Sequence, residues 1–248
     1  MLFRSLKKKF SVPSSVTAGL DSVAVRMPDN KIALSLIRLA KTPIAAPSAN
    51  LSGKPSPTCA EHVIADLSGR VDMIIDGGKT DIGVESTVID LTSKVPTILR
   101  PGKISKEEIK KVIGLVKLHH GKKHEKVNSP GMKYKHYAPN AKVLLIKGNK
   151  NKVKDEIINL TRQYKKQKLK VAVISFSYAL YRVYGADLVE FFGNDHDLAA
   201  KSLYAILRDF DKKKINVVIC EAIERKGFGL AIMDRLERAS GNNVVELI

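Results

Sequence analysis

The second half of the chain alternates short apolar runs with amphipathic stretches, and this alternation constrains the fold more than any other feature. Residues 141–148 (AKVLLIKG), 170–175 (KVAVIS), 187–192 and 216–223 (NVVICEAI) are short apolar runs, so they read as strands. Between them, 152–167 places Val153, Ile157, Ile158, Leu160 and Tyr164 at helical spacing. The stretch 197–213 does the same with Leu198, Leu203, Ile206, Leu207 and Phe210, and Asp195 stands where a helix N-cap is needed. A further helix over 230–239 is stopped by Gly241. Parallel neighbouring strands need a crossover, so this pattern predicts a Rossmann-like parallel α/β unit. No G-x-G-x-x-G follows its first strand, so nothing indicates a dinucleotide site there.

The first half is less regular. It reads as a strand at 23–26, a helix at 31–39, an apolar strand at 43–46 and a Ser/Gly/Pro loop over 48–57. A helix at 58–67 and strands at 71–75 and 87–91 follow. A helix over 105–117 carries Glu107 and Glu108 in its first turn, where they favour the helix dipole. Residues 118–140 are rich in His, Lys, Gly and Pro and lack periodicity, which marks a linker, and a linker of that length points to function or disorder. The expected organisation is therefore 1–117, a linker at 118–140, and 141–248.

Length and charge narrow the function. The 248 residues suit one large or two ordinary domains, and 44% apolar with 27% charged residues is a globular balance. A formal net charge of +18 draws the chain to polyanions such as nucleic acid or nucleotide phosphates, or else reflects a lysine-rich surface that serves solubility. The excess divides as +11 over 1–140 and +7 over 141–248, which argues against a single nucleic-acid tail. Cys59 and Cys220 make no disulfide framework and suit a reducing compartment. No apolar run reaches the roughly 20 residues that span a bilayer, and the basic start lacks the apolar core of a secretory signal. A cytoplasmic protein with no membrane partner is expected.

Several loops could carry chemistry. The run 47–56 (PSANLSGKPS) follows an apolar stretch and precedes a helix, and its small residues, hydroxyls and free N–H groups suit phosphate oxygens. Ser, Asn, Gly and Pro are also ordinary turn residues. Glu85, Ser86 and Thr87 open a strand, where hydroxyls could meet a carboxylate or phosphate or simply face solvent. Arg26 and Arg100 each close a strand, as anion-binding guanidiniums or as plain exposed charges. In the linker, Lys133, Lys135 and His136 interleave with Tyr134 and Tyr137, a composition that could cover a nucleotide by stacking and charge. His119, His120 and His124 lack the Cys or carboxylate spacing of a closed metal site and read as solvated. No Ser-His-Asp order, G-x-S-x-G or H-E-x-x-H is present.

Five strings in one order are far more specific than any one of them. SVTAGLDSVAVRMP (15–28), PIAAPSANLSGKPSPT (43–58), GVESTVIDL (83–91), ILRPG (98–102) and SPGMKYKHYAP (129–139), with GLAIMDRLERASG (229–241), resemble the threonylcarbamoyl-AMP synthase family. The resemblance implies a partial YrdC-like twisted sheet with helices, an ordered linker, and a small Rossmann-like domain. It implies formation of L-threonylcarbamoyl-AMP and pyrophosphate from L-threonine, bicarbonate and ATP, the product serving N6-threonylcarbamoyladenosine formation in tRNA. By motif, Arg26 and Ser86 would hold threonine, and Ala46 would contact it through its backbone. Ser22, Ser48, Asn50, Ser56 and Arg100 would bind ATP, with Tyr137 closing over the nucleotide. Mg²⁺ would come with the ATP phosphates rather than in a protein cage, and no acid/base catalyst is indicated. RNA, tRNA or tRNA-modification proteins are the partners implied.

The resemblance starts near residue 11. It places about half of the family's catalytic domain, with a Lys-x-Arg motif, ahead of the position matching Ser15, whereas this chain starts MLFRSLKKKF. Little or no synthase activity is therefore expected of this polypeptide alone, and a sheet short of strands would leave an apolar face open. The alternative function is RNA or tRNA binding without catalysis.

Overall fold

The structure is a computed structural model that describes residues 2–119, 138–178, 185–241 and 243–247. Within these the chain forms two compact units, one of 2–48 with 85–119 and the other of 49–84 with 138–247.

The first unit is built on a five-stranded mixed sheet in the order β2-β1-β3-β4-β5. Its strands are β1 (Leu2–Lys7), β2 (Ser22–Val25), β3 (Thr87–Asp90), β4 (Thr97–Arg100) and β5 (Lys117–Leu118). The basic opening of the chain, which gave no strand signal, lies inside this sheet. β1 pairs antiparallel to β2 with Arg4 opposite Val25, and parallel to β3 with Arg4 opposite Ile89. A register shift between Val88 and Ile89 interrupts the β3–β4 ladder. The core is small: Ile89, Ile98, Ile109 and Val116, with Leu2, Ile104 and Leu118 packed on them.

Three helices belong to this unit. α1 (Ser14–Thr17) is a single turn. α2 (Lys31–Ala40) starts at Asn30, whose side chain accepts from the Ala33 N–H. Its apolar stripe is uncovered, with Ile32, Leu36 and Leu39 at 44%, 47% and 81% exposure. α4 (Lys106–Ile113) ends earlier than its sequence pattern suggests, and a reciprocal capping box between Ser105 and Glu108 fixes its start.

The second unit holds α3 (Ala60–Leu67) and the expected Rossmann-like sheet. The chain runs through β6 (Lys142–Gly148), α5 (Lys150–Lys166), β7 (Val171–Ser175), β8 (Leu188–Phe191), α6 (His196–Lys212), β9 (Val217–Glu221), α7 (Phe228–Ser240) and β10 (Val244–Leu247). All pairings are parallel, in the order β10-β6-β9-β7-β8. Strand alternation sends Val143, Leu145, Ala172, Ile174, Val218 and Cys220 to the face covered by α6 and α7. Leu144, Ile146, Val171, Val173, Val217 and Ile219 go to the face covered by α5. Burial on both faces explains why these strands read as unbroken apolar runs. Asp195 caps α6 as expected, accepting from Leu198 N at 2.8 Å, and Gly241 ends α7 in the left-handed region at φ 59°. Full burial pushes the Cys220 thiol up to about 12, as befits a packing residue.

Two expected strands are absent. Residues 43–46 form no strand: Pro43 and Pro47 each lack a ladder donor, and among the described residues no strand pairs with them. Residues 71–75 likewise find no sheet partner, and Val71, Met73 and Ile75 stay exposed. β10 gives no strand signal in the sequence, because NNVVELI follows a helix stop with too little length.

Candidate functional site

The first unit gathers cations beside a hydroxyl. Arg100, at the end of β4, is 7% exposed and donates from Nε and Nη2 to the main-chain carbonyl of Ser86, at 3.3 and 3.1 Å. This leaves the Ser86 hydroxyl out of the arginine's fork. The next residue, Thr87, is fully buried and donates from Oγ1 to the Ile104 carbonyl at 2.7 Å. Gly102 closes the same corner. A Cβ there would overlap the Glu85 carbonyl and the Thr87 N–H, so only glycine lets 100–102 lie against 85–87.

Arg26, just beyond β2, lies over the Phe3 ring, 4.6 Å from its centroid. Desolvation lowers its pKa first and the charge of Arg100 second, while Asp29 opposes both. Two guanidiniums that repel each other beside a serine leave this neighbourhood positively charged. Among the described residues neither has a carboxylate salt-bridge partner. Arg26, Ser86 and Arg100 thus belong to one neighbourhood. Ser22 starts β2 and is half-buried, while Ala46 and Ser48 lie on exposed, irregular chain.

The second unit holds Asn50 and Ser56 on a loop tied down by side chains. Asn50 donates from Nδ2 to the carbonyls of Leu51 and Lys54, at 2.8 and 3.2 Å. Asp66, near the end of α3, accepts from Lys54 Nζ at 2.9 Å and from Arg208 Nη2 at 2.6 Å. Arg208 also donates from Nε and Nη2 to the Pro55 carbonyl, at 3.0 and 2.6 Å. Burial would raise the Asp66 pKa, but these cations outweigh it and hold the carboxyl at about 2. His62, one turn earlier, is buried and takes the Thr58 N–H on Nδ1 at 3.2 Å. Burial lowers its pKa first, and the charges of Arg208 and Lys212 add to that. Sequence reasoning found the loop but not Asp66, His62 or Arg208, because they lie far along the chain on helices whose patterning explains them without a site. Tyr137 lies outside the described residues, as do His120 and His124.

Comparison with known proteins gives these motifs a context. A family described as "Telomere recombination" matches residues 1–102, and one described as "Threonylcarbamoyl-AMP synthase, C-terminal domain" matches residues 104–241. The match from residue 1 extends the resemblance through β1, ahead of the residue 11 expected. A threonylcarbamoyl-AMP synthase of Pyrococcus abyssi is 48% identical over 98% of this chain and 71% of its own length. One of Bacillus subtilis is 47% identical over 93% and 66%, and one of Schizosaccharomyces pombe 39% identical over 91% and 59%. The chain therefore spans about three-fifths to seven-tenths of the length of these curated relatives. The crystal structure of the Pyrococcus abyssi Sua5 protein complexed with L-threonine superposes with a TM-score of 0.91 at 47% identity, over 100% of this chain and 72% of that one.

Proposed function

We infer what this chain does from one premise: it belongs to the threonylcarbamoyl-AMP synthase family. On that premise it forms L-threonylcarbamoyl-AMP and pyrophosphate from L-threonine, bicarbonate and ATP, for N6-threonylcarbamoyladenosine synthesis in tRNA. The observation that carries the reading is the Arg26–Ser86–Arg100 neighbourhood. There, two cations and a free-standing hydroxyl suit a substrate with a carboxylate and a hydroxyl.

In this reading, Arg26 takes the threonine carboxylate, Ser86 meets its polar groups, and the Ala46 backbone lines the same substrate. Ser22, Ser48, Asn50, Ser56, Arg100 and Tyr137 serve ATP. Bicarbonate condenses with the threonine amine to a carbamate, with loss of water. A carbamate oxygen then attacks the α-phosphorus, and the bond to pyrophosphate breaks with its electron pair on the leaving group. Attack by one anion on another needs charge neutralisation and alignment more than a proton-transfer residue, so arginines, hydroxyls and N–H groups are the right equipment. Among the described residues no group of three or more His, Cys, Asp or Glu is placed to hold a metal. Mg²⁺ would come with the ATP phosphates and would supply charge neutralisation there.

The domain division 1–117, 118–140 and 141–248 is part of the proposal; the two family matches run over 1–102 and 104–241, and the compact units group 49–84 with 138–247. So are tRNA as the eventual acceptor and a cytoplasmic location. No helix among the described residues is long and apolar enough to cross a membrane. The test is pyrophosphate release from ATP by the full-length gene product. Release that requires both threonine and bicarbonate is expected. RNA binding with no threonine-dependent release would overturn the reading.

A further inference from the structure

We propose that Arg208 and Asp66 are positioning residues that hold the loop over 50–56 in the shape ATP phosphates require, so that helix α6 sets one part of the nucleotide site. The proposal rests on the reading of Asn50 and Ser56 as nucleotide ligands.

The loop has no regular structure of its own. With one proline, one glycine and three serines from Ser48 to Ser56, its shape depends on ties from outside. Asp66 and Arg208 supply most of them. The Asp66 carboxylate is 1% exposed and the Arg208 side chain 8%. One oxygen of Asp66 takes Lys54 Nζ at 2.9 Å. The other takes Arg208 Nη2 at 2.6 Å and lies 3.4 Å from the Leu51 N–H. Arg208 closes the far end through its fork on the Pro55 carbonyl, next to Ser56. The cluster of one carboxylate and two cations keeps a net charge of +1 beside the loop, the sign that suits phosphate.

The last residues of the 118–140 stretch are tied to the same helix and loop. Asp211, one turn beyond Arg208, accepts the Asn140 N–H at 2.7 Å, and the Gly53 carbonyl accepts the Ala138 N–H at 3.2 Å. Burying a charged pair is a poor way to gain stability, since apolar residues of the same volume do as well. A planar guanidinium that grips a carbonyl and a carboxylate at once is, however, a good way to fix one geometry.

The experiment compares the full-length gene product with its Arg208→Lys and Arg208→Ala variants, reading ATP and threonine affinity by calorimetry and amide exchange across 50–58. Lysine keeps a charge opposite Asp66 but cannot fork onto Pro55. Arg208→Lys should therefore weaken ATP binding by about tenfold, leave threonine affinity within about twofold, and speed exchange in 50–58 without changing β7 or β9. Arg208→Ala should exceed this effect, and if it fails to fold the lysine variant carries the test. Unchanged ATP affinity, equal losses for both substrates, or unchanged exchange in the lysine variant would overturn the proposal. Wild-type protein that binds threonine but no ATP would overturn the reading of the loop beneath it.

Discussion

Arg100 grips the main-chain carbonyl of Ser86 through two nitrogens, so the arginine fixes the serine's position without engaging its hydroxyl. The side chain of Ser86 can then change while its backbone stays in place. That separates binding from folding at this site.

Ser86→Ala is accordingly expected to fold normally and to lose threonine affinity by ~1–3 kcal/mol, the effect of a substrate polar group left without its partner. Calorimetry with threonine measures this, and unchanged affinity would show that the hydroxyl faces elsewhere.

Arg100→Ala should weaken ATP more than threonine, because the proposal gives its charge to the nucleotide while its fork only holds Ser86. Parallel losses for the two ligands would confine Arg100 to a structural role.

Gly102→Ala forces a Cβ into the Glu85 carbonyl and the Thr87 N–H. A cost of about 1–3 kcal/mol to the first unit is expected, with threonine affinity falling alongside. A thermal midpoint equal to wild type would contradict the close packing of that corner.

Acid should loosen the second unit in two stages. His62 is held below its ordinary 6.5, so the unfolded chain takes that proton first and stability falls as pH drops below 6.5. Asp66, held at about 2 against 3.8, adds about 2 kcal/mol that is fully present above pH 4 and lost as pH falls through 2. Urea titrations from pH 7 to pH 3 should show the first stage and the beginning of the second, and Asp66→Asn should flatten the latter.

Much of this protein was legible before its structure. The second sheet was readable because both its faces are buried, so Leu144 to Ile146 or Val171 to Ile174 form unbroken apolar runs. β1 was hidden because Arg4 and Lys7 look like a charged tail, although Arg4 sits in register between Val25 and Ile89. Residues 43–46 and 71–75 look like strands by composition, but pairing is a tertiary fact that composition does not contain. The site motifs stood out as strings, whereas Asp66 and Arg208 act through a contact spanning 142 residues.

The uncovered stripe of α2 predicts the order of unfolding. Ile32, Leu36 and Leu39 bury little, and the core of that unit is small beside that of the second. Limited trypsin treatment should cut near Arg38 and Lys41 first and leave β6 to β9 intact. Earlier cleavage within 141–175 would reverse that order.

The central claim is that Arg26 and Ser86 hold threonine, with the neighbouring Arg100 given to the nucleotide. Titration of L-threonine into wild type and Arg26→Ala, followed by calorimetry, tests it most directly. The account predicts saturable binding at one site per chain, weakened about tenfold or more when the Arg26 guanidinium is removed. Equal affinity in the two proteins would contradict it.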